Sequence, residues 1–314
     1  MQEPSVDVVV PVYGHWEMVQ RCIAGLLAQT MRPRIIVVDD CSPDDTADRV
    51  AERFPEVELV RQPTNTGFAA ACNAGFAAGS GDVVVLVNSD VEADPDLVTS
   101  LVGAFSAPDV ASASPVIRRP DGRLDAVGIC ADPTLAGFVR YHGASAAAAG
   151  NPSPALLGPY GAVAAYRRSA VGPRLFDEGI FMYGEELDLA LRLRADGYRS
   201  VVVQGGGAMH LGGATTGRGS SRQIYLAGYG RGYLLGKYRV LRSRYGLRAV
   251  VTEATVVLLR LVRTRDTAAL RGRVAGYRSG RAAPATSAPT VGLEPRIGFF
   301  RSLRMRSDSY WSRY

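Results

Sequence analysis

The sequence lacks the usual loops for holding phosphate and the long apolar runs that cross a bilayer. It has no Gly-x-x-x-x-Gly-Lys-Ser/Thr stretch, and Pro11-Val12-Tyr13-Gly14-His15 does not supply the three glycines of a dinucleotide-binding turn. Phosphates are therefore not cradled by a P-loop or a Rossmann turn, and metal ions must do that work instead. The longest apolar span, 250–262, is interrupted by Glu253 and Arg260 and is too short to cross a membrane. Cys22, Cys41, Cys72 and Cys130 show no Cys-x-x-Cys spacing. With no cleavable signal pattern, this predicts reduced packing thiols in a cytoplasm. Of three histidines, only His210 has a suggestive setting, the glycine-rich segment 205–213.

At 314 residues and 47% hydrophobic, the chain can bury one large core or two smaller ones, and nothing in its composition signals global disorder. Its charge is divided unevenly. Residues 1–216 carry 16 Lys+Arg against 26 Asp+Glu, a net of −10, whereas 217–314 carry 20 against 4, a net of +16. The basic third must face a lipid surface, a phosphate-bearing substrate, nucleic acid or solvent, and charge alone does not choose. Segments 223–244 and 248–263 read as basic amphipathic helices. Arg239, Arg242, Arg244, Arg260, Arg263 and, just beyond, Arg265 recur beside Leu and Val at helical spacing, which suits either a helix lying on an anionic membrane or a solvated or self-packing basic face.

Apolar runs at 6–12, 34–39, 57–62 and 82–88 alternate with helical spacing at 16–29, 46–53, 68–78 and 94–105. That pattern predicts an α/β fold whose mostly parallel sheet is flanked by helices. Such sheets bind ligands beyond the carboxyl ends of their strands, where Pro11-Val12-Tyr13, Asp39-Asp40 and Asn88-Ser89-Asp90 fall. Residues 110–175 read as strands, a turn at 119–122 and a small-residue loop at 143–159, suggesting a lid or acceptor-side insertion. The expected division is a catalytic domain over 1–216, a basic helical extension over 217–280 and a flexible basic tail over 281–314.

Three carboxylates, Glu185, Glu186 and Asp188, meet where a helix should begin. They could complement the helix dipole, and Asp188 could pair with Arg192 one turn on. Adjacent Glu185 and Glu186 also suit base catalysis, because like charges near a cleft raise a carboxylate's pKa. Asp39-Asp40 before Cys41-Ser42-Pro43 fits a turn and helix cap, or a carboxylate accepting from a nucleotide base or ribose. Asp90, closing a buried run, suits Mg²⁺ or Mn²⁺ bridging two phosphates, since these ions use few protein carboxylates. His210 could serve as a metal ligand.

Taken in order, these residues resemble the family 2 inverting glycosyltransferases of GT-A fold, most closely in pattern the bacterial rhamnosyltransferase-type members. The resemblance covers roughly 5–245. It is carried by Val9-Val10-Pro11-Val12-Tyr13, Val37-Val38-Asp39-Asp40-Cys41-Ser42, the stretch from Asn65-Thr66-Gly67 to Asn73-Ala74-Gly75, Asn88-Ser89-Asp90, Gly161-Ala162, Phe176-Asp177-Glu178 and Glu185-Glu186-Leu187-Asp188-Leu189. It implies that Pro11 and Tyr13 flank the nucleotide base and Asp40 bonds it. Asn73 and Ser89 then lie on the nucleotide-sugar side, Asp90 and His210 on the metal, and Glu185 and Asp188 toward the acceptor, with Glu186 as the base. Asn88 replaces the first acid of the family's Asp-x-Asp element, leaving fewer anionic metal ligands, and Glu186 stands where Asp is usual.

The implied activity is inverting transfer of a sugar, with dTDP-rhamnose the leading donor, to a hydroxyl of a cell-surface glycan, a lipid-linked precursor or a small molecule. It would take place in the cytoplasm or on the inner face of the membrane, with no nucleic acid partner. A nucleotidyltransferase would want a basic glycine-rich loop after the first strand, and Gly14-His15-Trp16-Glu17 is not one. The alternative from another class is a catalytically inactive nucleotide-sugar-binding scaffold.

Overall fold

The computed structural model describes residues 4–212, 219–289, 291–307 and 309–314. The amino-terminal half runs β1 (Val6–Val12), α1 (Trp16–Leu27), β2 (Arg34–Asp39), α2 (Thr46–Arg53), β3 (Glu58–Arg61), α3 (Phe68–Ala78), β4 (Val83–Val87), β5 (Val91–Ala93) and α4 (Leu97–Gly103). Next come β6 (Val110–Ser114), β7 (Ile117–Arg118), β8 (Leu124–Ala126), β9 (Ile129–Ala131), β10 (Gly137–Val139), β11 (Val163–Arg167), α5 (Arg168–Val171), α6 (Glu185–Ala195), β12 (Arg199–Val202) and β13 (Ala208–His210). The chain ends with α7 (Ser221–Lys237), α8 (Gly246–Thr264), α9 (Ala268–Ala282) and α10 (Phe299–Arg304).

The central sheet has the order β12-β6-β11-β4-β1-β2-β3. Its neighbours are parallel except where β11 runs against β4 and β6. Period-two alternation divides β1 between two layers: Val8, Val10 and Val12 pack with Val19, Ile23 and Leu26 of α1, while Val9 packs with Ala69, Cys72 and Phe76 of α3. The small residues of α3 let it lie close on the sheet, since a Cβ on Gly75 would fall 2.3 Å from Val9 Cγ1. Cys22, Cys72 and Cys130 are buried free thiols, and burial pushes those of Cys22 and Cys130 up to about 12. Cys41 departs from the packing role expected of it, being free and exposed.

A four-stranded sheet, β5-β13-β7-β8, stands beyond the carboxyl edge of the main one. In it His210 pairs directly opposite Val91, next to Asp90. Helices α7 and α9 run the same way, and each glycine of Gly228-Gly232-Gly236 faces the α9 backbone while Gly272-Gly276-Gly280 faces α7. A Cβ on Gly276 would meet Tyr229 O at 1.9 Å, so only glycine permits this approach.

One expectation is corrected in part. Within the tail expected to be flexible over 281–314, Ile297, Met305, Tyr310 and Trp311 are buried with Leu124, Phe138 and Tyr141, because apolar and aromatic anchors sit among its arginines. The domain boundary after 216 lies outside the described residues, as does Gly213 of the glycine-rich segment. The basic residues divide between the packed and the exposed alternatives. Arg239 donates to the carbonyls of Gly236, Arg281 and Ala283, and Arg260 faces inward (below), whereas Arg242, Arg244, Arg263 and Arg265 are exposed.

Candidate active site

The carboxyl ends of β1 and β4, the loop after β2 and the start of α6 surround one cleft of about 610 Å³. Pro11, Tyr13, Asp40, Ser89, Asp90, Glu185, Glu186 and His210 all line it. The sheet's topology brings them together from positions as far apart as Pro11 and His210.

Not every carboxylate there is available. Asp40 accepts hydrogen bonds from Thr66 N, Thr66 Oγ1 and Gly67 N, each at 2.8 Å, so its two oxygens bracket the turn that begins α3. Gly67 has φ 91° with the Phe181 ring against it, which leaves no room for a side chain. Asp39 accepts from Ser42 N and Oγ, the turn its sequence setting allowed.

Two expectations on side-chain roles are corrected. Asn73 does not line the cleft. It donates to Phe176 O and Glu178 Oε1 at 2.9 Å and accepts from Phe176 N, latching the 176–178 loop to α3. Asp188 is fully buried and pairs with Arg192 at 3.1 Å and Lys237 at 2.7 Å, and accepts from Tyr238 Oη at 3.0 Å. Lys237, the only lysine in the sequence, also meets Asp177 at 2.7 Å. Asp188 therefore ties α6 to α7 and is out of an acceptor's reach.

Helix α6 starts at Gly184 with φ 110°, a conformation that favours glycine. This aims Glu185 and Glu186 from the first turn toward the cleft, where the helix dipole favours negative charge. Burial, with the charge of Glu186 adding to it, raises the Glu185 pKa well above the ordinary range, and Glu185 Oε2 has no partner. Burial also raises Glu186, which is half-exposed and accepts only a long 3.3 Å bond from Gly184 N among the bonds described. Glu186 is the carboxylate with both access and raised basicity.

Across the cleft, His210 sits between two carboxylates, Nε2 3.2 Å from Asp90 Oδ1 and Nδ1 2.7 Å from Asp125 Oδ2. Burial opposes its charge, but the bonds to Asp125 and Asp90 outweigh this and move its pKa to about 9. Burial likewise pushes Asp125 up, and bonds from His142 and His210 more than offset it, holding the carboxyl low. Among the described residues no group of three or more His, Cys, Asp or Glu is arranged to hold a metal by itself. The Asp90 and His210 pair nonetheless fits one: its separation is near the roughly 3.0 Å between adjacent octahedral ligands at about 2.1 Å. The Nδ1 bond to Asp125 would leave Nε2 as the ligating atom, the usual carboxylate–histidine support of a metal site.

Sequence reasoning missed Asp125, Tyr160, His142 and Arg222, which also line the cleft. Leu124-Asp125-Ala126 is a buried strand, and an acid inside it was the available signal. Tyr160 lies edge-on to His210 at 6.4 Å. Arg222, from the first turn of α7, stands over the Phe181 ring.

The family model for glycosyl transferase family 2 matches residues 7–172. The chain is 28% identical over 253 residues to an N-acetylglucosaminyl-diphospho-decaprenol L-rhamnosyltransferase of Mycobacterium tuberculosis, spanning 68% of this chain and 78% of the relative. It is 29% identical over 120 residues to a dolichol-phosphate mannosyltransferase of Pyrococcus furiosus, covering 36% of this chain and 34% of that one. Among solved structures, it resembles the mannosyltransferase PcManGT from Pyrobaculum calidifontis in complex with GDP-Man and Mn²⁺, with TM-score 0.52 and 19% identity over 91% of this chain and 77% of that one. GalNAc-T7 with UDP, GalNAc and Mn²⁺ gives TM-score 0.57 at 14% identity over 90% of this chain and 55% of that one. The shared fold is the GT-A fold.

Proposed function

We propose that this chain, which belongs to glycosyl transferase family 2, performs a metal-assisted, inverting transfer of a sugar from a nucleotide donor to a hydroxyl of a lipid-linked acceptor. The observation that carries the reading is one cleft with Glu186 on one wall and the Asp90–His210 pair on another. Pro11 and Tyr13 would hold the nucleotide base at the end of β1, and Ser89 would face the sugar-diphosphate. A divalent cation bound at Asp90 and His210, Mn²⁺ or Mg²⁺, would neutralise charge on the departing nucleoside diphosphate. Asp125 would fix the His210 ring. Glu186 would take the proton of the acceptor hydroxyl, whose own acidity is too weak for attack unaided. With the acceptor activated by Glu186 on the face of the sugar away from the departing diphosphate, a single displacement would invert the anomeric centre.

The donor reading is dTDP-rhamnose, supported by the mycobacterial relative's rhamnosyl transfer, and that relative's diphospho-decaprenol acceptor supports the lipid link. Incubating the full chain with Mn²⁺, a lipid-linked acceptor and dTDP-rhamnose, UDP- or GDP-sugars, and measuring released nucleoside diphosphate, tests this. The fastest release is expected from dTDP-rhamnose. Release from no sugar nucleotide would reject the reading.

Membrane contact belongs to the same proposal. Among the described residues no helix is long and apolar enough to cross a membrane. On α8, however, Leu247, Val250, Val251, Leu258, Leu261 and Val262 are exposed along one face, with Arg244, Arg263 and Arg265 exposed at its ends. That combination suits an anionic bilayer surface, where each basic residue contributes about 1 kcal/mol. The chain should sediment with anionic liposomes at low salt and lose most of that binding at high salt. Equal binding to neutral vesicles would remove the electrostatic part.

A further inference from the structure

A second cavity of about 500 Å³ adjoins the cleft, and Tyr183, Glu186 and Gln223 line both. The proposed base thus stands at their junction. The second cavity is mixed in character. Leu135, Val139, Leu187, Ile224 and Val256 give it apolar walls, and Arg231, Arg260, Arg273 and Arg306 give it cationic ones.

The charges do not balance. Glu253 accepts from Arg231 Nε at 2.8 Å, Arg273 Nε at 2.8 Å and Arg306 Nη2 at 3.1 Å. Four guanidiniums therefore face Glu253 and, at the junction with the cleft, Glu186, which leaves a surplus of positive charge. Arg260 forms no ion pair among the described residues, and the Nε atoms of Arg260 and Arg306 are buried without a partner. Surplus buried cation is costly unless an anion joins it. Helix α8 also links this cavity to the outside surface: Glu253, Val256 and Arg260 lie on its inner face, opposite the exposed apolar stripe.

We propose that this second cavity is the acceptor subsite, in which Arg260 and its neighbouring arginines bind the phosphate of a lipid-linked acceptor and the apolar walls hold the start of its hydrocarbon chain. The inference rests on the assignment of Glu186 as the base, because the acceptor hydroxyl must reach from this cavity to that carboxylate. A free phosphate would satisfy the arginines and leave the apolar walls unused, whereas an isoprenoid phosphate satisfies both.

Calorimetry on the full chain with EDTA tests it, using farnesyl diphosphate, inorganic pyrophosphate and farnesol as probes. Without metal, the acidic donor cleft repels a diphosphate, so binding reports on the second cavity. Farnesyl diphosphate should bind more tightly than either fragment. Arg260→Ala should weaken it about ten- to a hundredfold, the size of one charge-assisted contact, and Arg260→Lys should recover part of that loss. Because Arg260 forms no ion pair among the described residues and only adds to the field that lowers the pKa of Asp266, the fold should survive. Ala227→Trp, at an exposed position on the rim, should obstruct the cavity from α7 and weaken binding independently.

Unchanged affinity in both variants would overturn the subsite, and pyrophosphate binding as tightly as farnesyl diphosphate would overturn its lipid assignment. Nucleoside diphosphate with Mn²⁺ reads the donor cleft separately, and its affinity should be the same in Arg260→Ala as in the wild type. If the wild type did not bind it, the proposed function would fail while the farnesyl diphosphate result still stood.

Discussion

Glu186→Gln should lower sugar transfer by about 10²–10⁴ while leaving donor affinity unchanged, because the amide keeps the side chain's size but cannot accept a proton. Glu186 lines the cleft and the neighbouring cavity, so on the proposed function an acceptor hydroxyl entering from one side would meet there a sugar held on the other. Steady-state kinetics with donor binding measured in parallel separates the two effects. Near wild-type turnover would reject the assignment, and Glu185 would then be the remaining carboxylate of the pair that lines the cleft.

The same residue sets a pH dependence. Burial raises the Glu186 pKa, and the base must be ionised, so activity should be lost as pH falls through a value above that of ordinary glutamate, about 4.3. Glu185 is raised too, and the adjacent pair titrates as a unit. For stability the sign is opposite. A carboxyl raised in the folded state supports folding below its unfolded pKa, and that support is lost as pH rises through the folded value. The protein should therefore gain transfer activity and lose some stability over the same rise in pH, as expected where a site is held ready at a cost in folding.

Asp90→Ala should have the second large effect, removing most metal-dependent donor binding. In the proposed function Asp90 Oδ1 and His210 Nε2, 3.2 Å apart, would share the cation, so the variant would keep one ligand of the two. Asp125→Asn, which keeps both metal-side atoms but loses the carboxylate charge that holds the His210 ring and also meets His142, should weaken Mn²⁺ binding by a smaller 10–100-fold. Calorimetry with Mn²⁺ and a nucleoside diphosphate, with and without EDTA, measures both. Equal affinity of wild type and Asp90→Ala in Mn²⁺ would remove the metal role.

Much of the fold was legible because its signals are local. The runs at 6–12, 34–39 and 82–88 are buried on both faces, and such strands show as continuous apolar stretches whatever their partners. That Pro11, Tyr13, Asp90 and Glu186 would face one cleft was legible because they sit at or near element ends, where apolar periodicity stops and polar residues begin. What failed depended on distance in sequence. Asp188 looked like a cleft residue, and only the arrival of Lys237 and Tyr238 on α7 makes it a buried hub. Asp125 looked like an ordinary strand residue until β13 carried His210 to it from 85 positions away. The tail misled through composition: arginine and small residues suggested mobility, yet a few anchors such as Trp311 and Ile297 suffice to pack part of it. The glycines of α7 and α9 read as weak helix formers, and their purpose is visible only when the two backbones are seen in contact.

The most direct measurement is a crystal structure with Mn²⁺ and an intact, slowly transferred donor analogue, with the metal located by its anomalous scattering. The ion should lie within bonding distance of Asp90 and His210 and touch the diphosphate, with the anomeric carbon turned toward Glu186. A metal bound away from that pair, or a sugar whose anomeric carbon faces away from Glu186, would contradict the account.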